Sequence, residues 1–240
     1  MQVINTNVSA LFAGAALNKS NLALQTAMQR LSSGLRINSS KDDPTGMATA
    51  TTYDSQVRGT NIAIRNANDA VSQAQTLDGY GAQMIENLQR LHEIFIQTGD
   101  ASTTESAALI TENGRIATLS GTSALIGAKV TVDGIGGTVT AASAALAAPA
   151  ATTAAGVLTD LNAVVASRAT YGSDMATFGS AVATMQTASV NLSASYSRIM
   201  DTDYAAETTS MTRNNILQQA GTAMLAQANQ QPNLVLTLLK

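Results

Sequence analysis

Large residues recur along residues 161–199 at alternating intervals of three and four without a break, and this spacing constrains the fold more than any other feature. Such a spacing places side chains on one face of an α-helix and is typical of a coiled coil. At about 1.5 Å per residue the helix would be roughly 58 Å long, more than the width of a compact domain of this chain length, so we expect an elongated molecule. Ten of its twelve positions are apolar or aromatic, and we call these ten residues the packing seam: Leu161, Val164, Tyr171, Met175, Phe178, Val182, Met185, Leu192, Tyr196 and Ile199.

Two interpretations of the packing seam remain open from the sequence. It can form the core of a bundle within one chain, or it can contact neighbouring chains directly. The polar positions are Ser189 and Arg168, and we expect Arg168 to snorkel to solvent or to form an ion pair. Gly172 and Gly179, seven residues apart, either admit a closely packed helix or give local flexibility.

The composition favours helices that are buried against other helices. Charged residues make up 12% of the chain where about 25% is typical, and aromatic residues only 3%. Alanine and uncharged polar residues take their place, which leaves a weakly solvated surface and favours self-assembly. The net charge is −3, and no block of Lys and Arg is interleaved with aromatic residues, so neither nucleic acid nor an anionic membrane is an expected partner.

The chain offers no residues for catalysis or for binding a cofactor. It has no cysteine, which excludes disulfides and thiolate chemistry, and its single histidine, His92, cannot build a metal site or a Ser/His/Asp arrangement. We expect His92 to be solvated or at an interface.

Gly134, Gly136 and Gly137 lack the strand and helix of a phosphate-binding loop, so we interpret them as turn residues. Residues 1–17 resemble neither a secretory signal nor a membrane span, so export would need another route.

Helices with unpartnered apolar faces are predicted at both ends. The N-terminal helix carries its apolar residues at Leu17, Leu24, Met28, Leu31 and Leu35. The C-terminal helix is predicted over 205–229 and should end before Pro232. Its apolar side carries Met211, Ile216, Leu217, Ala220, Met224 and Leu225, and its other side is almost uncharged and rich in Gln and Asn.

Turn signals divide the central part into shorter elements. Pro44 and Gly46 predict a reversal and a domain boundary at 41–46. Helices are predicted over 53–97 and 104–120, and β-branched runs at 129–132 and 138–140 flank a glycine-rich turn and predict a hairpin. Residues 141–156 form an Ala/Thr stretch that we expect to be a loop or weak helix.

Seven short segments at the two ends carry a specific resemblance. They are residues 2–7, 30–38, 41–43 and 65–69, followed by 203–207, 216–222 and 225–230. Together and in this order they resemble bacterial flagellin, the subunit of the flagellar filament. The resemblance covers roughly residues 1–100 and 160–240.

The resemblance implies a mainly α fold, a long antiparallel bundle or coiled coil with one small hairpin and paired termini. Residues 1–40 plus 201–240 would form an inner-tube coiled coil, and 41–200 an outer-tube bundle with the hairpin near 129–140 and the Ala/Thr loop at 141–156. With no large surface domain between the helical regions, the chain looks like a minimal member. The main alternative is a hook–filament junction protein, which would share the two-ended coil.

The implied function is a secreted, extracellular subunit that polymerises into the filament used for swimming. Its partners would be copies of itself, an export chaperone, the filament cap and hook-junction proteins, with export by the flagellar type III apparatus. Flagellins also resemble one another at a segment recognised by a Toll-like receptor, and residues 89–97 match it in outline. Gln89, Arg90, Glu93 and Ile94 are retained, whereas His92 replaces the usual second arginine and Phe95 a small residue.

Overall fold

The computed structural model describes residues 6–99, 103–122, 129–131, 138–149 and 152–238. These residues form a mainly helical bundle with one antiparallel hairpin, which confirms the predicted fold class. Val130 lies opposite Val139 in the hairpin, and the glycine-rich turn between its strands lies outside the described residues. The elements are α1 (Val8–Ser33), α2 (Pro44–Thr98), α3 (Thr104–Gly121), β1 (Lys129–Thr131), β2 (Thr138–Thr140), α4 (Ala154–Met200) and α5 (Tyr204–Leu238).

The chain divides into two compact units. The first comprises Met1–Thr52 and Ala194–Lys240, and the second comprises Tyr53–Ser193. The division falls inside α2 and α4, so the turn at 41–46 lies within the first unit.

The core of the second unit is a seam between α2 and α4. On α4, Tyr171, Phe178 and Met185 are buried at intervals of seven residues, and α2 buries Leu77 and Met84 at the same interval. Val164 is buried with them, and Leu161, Met175 and Val182 pack at the edge. The packing seam of this unit therefore lies in an intramolecular core, while Leu192 is half-buried outside it. Tyr196 and Ile199 pack in the first unit against Ile37, Ala50 and Met200.

A bidentate ion pair joins α2 and α4. The Nε atom of Arg168 lies 2.7 Å from Oδ1 of Asp78, and Nη2 lies 3.2 Å from Oδ2. Asp78 raises the pKa of the Arg168 guanidinium. The stem of Arg168 crosses Gly81, where an added Cβ would lie 2.7 Å from its Cγ, so Gly81 provides room for the bridge. Since Asp78 pairs with Arg168 and Asn61 with Ser189, the two helices run antiparallel.

The Ala/Thr stretch is anchored to α4 by a buried carboxylate. Asp174 accepts hydrogen bonds from the backbone N–H groups of Ala142 and Ser143 at 3.0 and 2.9 Å, and from the Ser143 hydroxyl. A carboxylate that accepts several hydrogen bonds is satisfied although it is buried. Residues 141–149 have no regular secondary structure. The hydrogen bonds to Asp174 nevertheless hold them in place.

Two further hydrogen bonds hold the same stretch. The Tyr171 hydroxyl donates to the Ala144 carbonyl at 2.8 Å, and burial raises the pKa of Tyr171. The backbone N–H of Leu146 donates to Ser120 Oγ at 3.0 Å, and the Leu146 side chain enters the core. The stretch is thus a structural part of the second unit.

The predicted reversal at Gly46 is wrong. Pro44 begins α2, where its missing N–H costs nothing, and Gly46 lies in the first turn, its N–H donating to Asp43 Oδ1 at 2.8 Å. A side chain at position 46 would collide with the Asp43 carboxylate and with Ile37. Gly46 thus leaves space for the capping carboxylate. The chain turns earlier, at Gly34, whose φ of +72° ends α1.

The predicted end of the C-terminal helix before Pro232 is also wrong, because α5 continues to Leu238. A proline inside a helix removes one hydrogen bond, the one its own N–H would donate to the carbonyl four residues earlier. Here that carbonyl belongs to Ala228, and the side-chain Nδ2 of Asn7 donates to it at 2.8 Å. The lost helical bond is replaced from α1.

We predict that Phe178→Ala lowers the free energy of unfolding of the second unit by about 3–5 kcal/mol, because it opens a cavity in a fully buried site. The control is Val190→Ala on the same helix, where the side chain is 68% exposed and the change should stay within about 0.5 kcal/mol. Denaturant unfolding followed by circular dichroism measures both. Equal losses from the two variants would contradict the assignment of the seam to the core.

Candidate assembly interface

Helices α1 and α5 pack antiparallel in the first unit. Asn7 contacts Ala228, Leu17 lies beside Gly221, and Arg30 lies beside Glu207, so residue numbers rise along one helix as they fall along the other. The less exposed residues of α5 follow the three- and four-residue spacing of one helix face: Glu207, Ser210, Met211, Asn214, Gln218, Gly221, Leu225 and Ala228. Apart from Met211 and Leu225 these side chains are small or polar, and the small ones, Gly221 and Ala228, allow the two helices to approach closely.

The close approach leaves the larger apolar side chains of this pair in solvent. Phe12 of α1 is 77% exposed and Met224 of α5 is 63% exposed. We call the whole set the apolar terminal surface: Val8, Leu11, Phe12, Leu22 and Met28 of α1, and Tyr204, Ile216, Leu217 and Met224 of α5. Exposed apolar residues are common singly, but a concentration on one helix pair marks a surface that binds another protein.

The structure separates the residues predicted for the terminal coil into two groups. Those that are half-buried are Leu17, Leu24, Leu31, Leu35 and Leu225. Those that are exposed are Met28, Ile216, Leu217, Ala220 and Met224. Most of the predicted apolar side of α5 is therefore exposed in the single chain. Of its amide side chains, Gln218 is half-buried, and Gln219, Gln227, Asn229 and Gln230 are exposed.

A groove of about 660 Å³ runs between the two helices. Its lining includes the large apolar residues Phe12, Leu17, Leu217 and Met224, and also Gly221. A Cβ at position 221 would lie 3.3 Å from Leu17 Cδ1, so Gly221 sets the distance between the helices. The groove has the apolar character and the size to accept side chains from another helix.

Electrostatic interactions are sparse along this pair. The two helices carry only Lys19, Arg30, Glu207 and Arg213 as charged residues. Arg30 Nη1 lies 3.6 Å from Glu207 Oε2, with the two side chains 32% and 16% exposed. A pair of this kind contributes little to stability, so burial of apolar area must dominate any association through this surface.

A short antiparallel bridge joins the inner ends of the pair. The Arg36 N–H donates to the Met200 carbonyl at 2.6 Å, and the Thr202 N–H donates to the Gly34 carbonyl at 2.9 Å. Arg36 Nη2 also donates to the Ile199 carbonyl at 2.8 Å. These bonds fix the end of α1 beside the start of α5.

The segment that resembles a receptor-binding region lies on α2 in the second unit. Gln89, Arg90 and Glu93 are exposed, whereas Ile94 is buried and Phe95 packs beside it in the core. Arg90 Nε donates a hydrogen bond to Glu105 Oε1 on α3 at 2.9 Å, and Nη1 donates one to Glu93 Oε2 at 3.1 Å. The bond to Glu105, and to a lesser extent the bond to Glu93, raises the pKa of Arg90. Only three of the four predicted residues can therefore contact a partner.

Other candidate positions offer no site within the described part of the chain. Gly172 and Gly179 are exposed, and no heavy atom lies within 4 Å of an added Cβ at either, so no helix of this unit packs closely there. His92 is half-buried, with Nδ1 unpaired. Among the described residues no three His, Cys, Asp or Glu side chains could hold a metal ion, and no helix combines the length and apolarity needed to cross a membrane.

Comparison with known proteins gives matches at both ends of the chain. Residues 4–135 match the family described as the bacterial flagellin N-terminal helical region, and residues 155–239 match the bacterial flagellin C-terminal helical region. Flagellin of Salmonella typhimurium is 48% identical over 105 residues, which cover 44% of this chain and 21% of the relative. Flagellin of Escherichia coli K12 is 46% identical over a match of the same extent. The chain thus spans about a fifth of the length of these relatives.

We predict that Gly221→Val loosens the pairing of α1 and α5, because its branched side chain must displace Leu17. Gly14→Ala is the control: nothing lies within 4 Å of its added Cβ, and alanine improves helix stability by about 0.5–1 kcal/mol. Amide hydrogen exchange in α1 and α5 measures both effects. Increased protection in Gly221→Val would contradict the role given to Gly221.

Proposed function

The chain belongs to the bacterial flagellin family, and from that premise we propose that it is the structural subunit of an extracellular flagellar filament, the helical propeller of swimming cells. The observation that carries this proposal is the apolar terminal surface, which one copy of the chain leaves in water. Members of this family are structural proteins, and we propose no catalytic activity for the chain.

Burial of the apolar terminal surface between copies would drive polymerisation. Full burial of a large apolar side chain stabilises by about 1.5–3 kcal/mol, so several such residues are needed to offset the roughly 4–15 kcal/mol that association costs. The nine residues of the surface are enough for this. Because α1 and α5 leave large apolar side chains unpacked in a single copy, we expect that they gain most of their order from neighbouring subunits, which couples folding to assembly.

We further propose two layers in the filament. Residues 1–40 plus 201–240 would form the inner tube and residues 41–200 the outer tube. The exposed amides Gln219, Gln227, Asn229 and Gln230 support an inner position, because neutral polar groups hydrate a channel without holding charged segments in transit by Coulomb attraction. Only residues 136–154 separate the two matched regions, so the filament surface would lack large lobes.

The proposed role brings proposed partners with it. We propose that the chain is exported by the flagellar type III apparatus with an export chaperone, and that it meets the filament cap and the hook-junction proteins. The alternative is that the chain is itself a hook–filament junction protein. A junction protein stops after a limited assembly, so extended polymerisation of the purified chain separates the two functions.

Removal of residues 222–240 should leave a soluble, largely helical monomer that does not polymerise, because the groove loses Met224, Gln227 and Ala228. The double variant Phe12→Ser/Met224→Ser should raise the concentration needed for polymerisation at least about tenfold, since two exposed apolar anchors are removed. Leu158→Ser, at an exposed apolar position of α4 in the second unit, should polymerise normally. Negative-stain microscopy and sedimentation measure all three. Normal filaments from the truncated chain would contradict the proposal.

We also propose that Gln89, Arg90 and Glu93 form a surface for an innate immune Toll-like receptor, because they are exposed together on one helix. Receptor-reporter cells exposed to purified monomer should respond, and Arg90→Ala should reduce potency about tenfold, as expected for loss of one buried arginine contact. Arg115→Ala is the control, since Arg115 forms a comparable exposed ion pair with Glu112. Silence of the unaltered chain at saturating dose would contradict receptor recognition.

A further inference from the structure

We propose that Asn7 and Pro232 act together to fix the register of α1 against α5, with Asn7 as a positioning residue. The link between them is the Ala228 carbonyl. The inference goes beyond the proposed filament role, and it rests on that role only for its assembly readout.

The Asn7 amide uses both of its ends. Its Oδ1 accepts from the Ala10 N–H at 3.0 Å and caps the start of α1, while its Nδ2 donates to the Ala228 carbonyl at 2.8 Å. Serine or aspartate caps a helix about as well as asparagine. Neither replaces the second bond, because aspartate has no donor and the serine hydroxyl is too short to reach across to α5 while it caps α1.

The Ala228 carbonyl is available because of Pro232. Every other helical residue in the interior of α5 can donate its N–H four residues back, whereas Pro232 has none. Ala228 is only 9% exposed, so water has limited access to the free carbonyl. An unpaired buried carbonyl is costly, and the Asn7 amide removes that cost at one position of the helix.

This arrangement distinguishes one register from its neighbours. If α5 slid by one residue or one turn, Nδ2 of Asn7 would meet a carbonyl that already accepts a helical bond, and Ala228 would lose its partner. The apolar contacts between α1 and α5 distinguish less sharply between neighbouring registers, because the hydrophobic effect has no preferred direction. Val8 and Ala228 both line the groove, so the register also sets how the apolar residues of α1 and α5 are placed relative to one another.

A double-mutant cycle tests the coupling. Asn7→Ser keeps the cap and removes the bond to Ala228, and Pro232→Ala restores a helical N–H for the same carbonyl. Asn7→Ser alone should increase the amide exchange rate of α1 about tenfold and raise the critical concentration for polymerisation by a similar factor, as expected for loss of one buried hydrogen bond. In the Pro232→Ala background the same change should have an effect of about twofold or less.

The outcomes separate this inference from the proposed function. Equal effects of Asn7→Ser in both backgrounds would overturn the coupling, and so would a lack of exchange protection in α1 in both the soluble and the assembled chain. Coupling measured by exchange in a chain that never polymerises would support the register device and contradict the filament role. Filament formation by a chain whose double-mutant cycle shows no coupling between Asn7 and Pro232 would support the filament role and contradict the register device.

Discussion

The close antiparallel packing of α1 on α5 is the interaction on which the character of this protein depends. Two helices can approach closely only where their facing side chains are small, and Gly221 and Ala228 meet that requirement on α5. Large apolar residues such as Ile216 and Met224 are consequently left outside. A chain that packs its terminal helices in this way exposes the residues that would otherwise form a core, and a further helix must cover them.

The same interval of seven residues has opposite results in the two units. On α4 it selects Tyr171, Phe178 and Met185, which α2 covers within the chain. On α5 it selects Glu207, Asn214, Gly221 and Ala228, which are polar or small, while Ile216, Leu217 and Met224 are exposed. In the second unit the periodicity builds an intramolecular core that stabilises the lone chain. In the first unit it brings two helices together while most of their large apolar side chains stay exposed.

The sequence predicted the helices well because repeated apolar spacing depends only on local geometry. It did not indicate which side of α5 packs on α1, because periodicity shows that a helix has two sides and does not show which side its partner takes. It failed at Pro232 for a related reason: the replacement donor is Asn7, 221 positions earlier in sequence than the Ala228 carbonyl. The sequence also gave no indication that Asp174 anchors the Ala/Thr stretch. Asp174 lies beside the packing seam, and its partners are backbone N–H groups, which every residue of the stretch except Pro149 carries. What could not be predicted are the contacts between distant segments.

Those contacts have a common physical role. Apolar burial stabilises any arrangement that removes area from water, so in a chain with 12% charged residues it distinguishes poorly between neighbouring registers. Hydrogen bonds have direction and length, and each is satisfied in only one arrangement. Asp174 fixes the stretch at 142–143, the bridge at Gly34 and Thr202 fixes the inner end of the terminal pair, and Asn7 fixes its outer end. A few directional bonds thus define the geometry in which a much larger apolar surface is presented. Under the proposed filament role that definition matters more than the energy of any single bond, because a subunit would repeat the same contact many times.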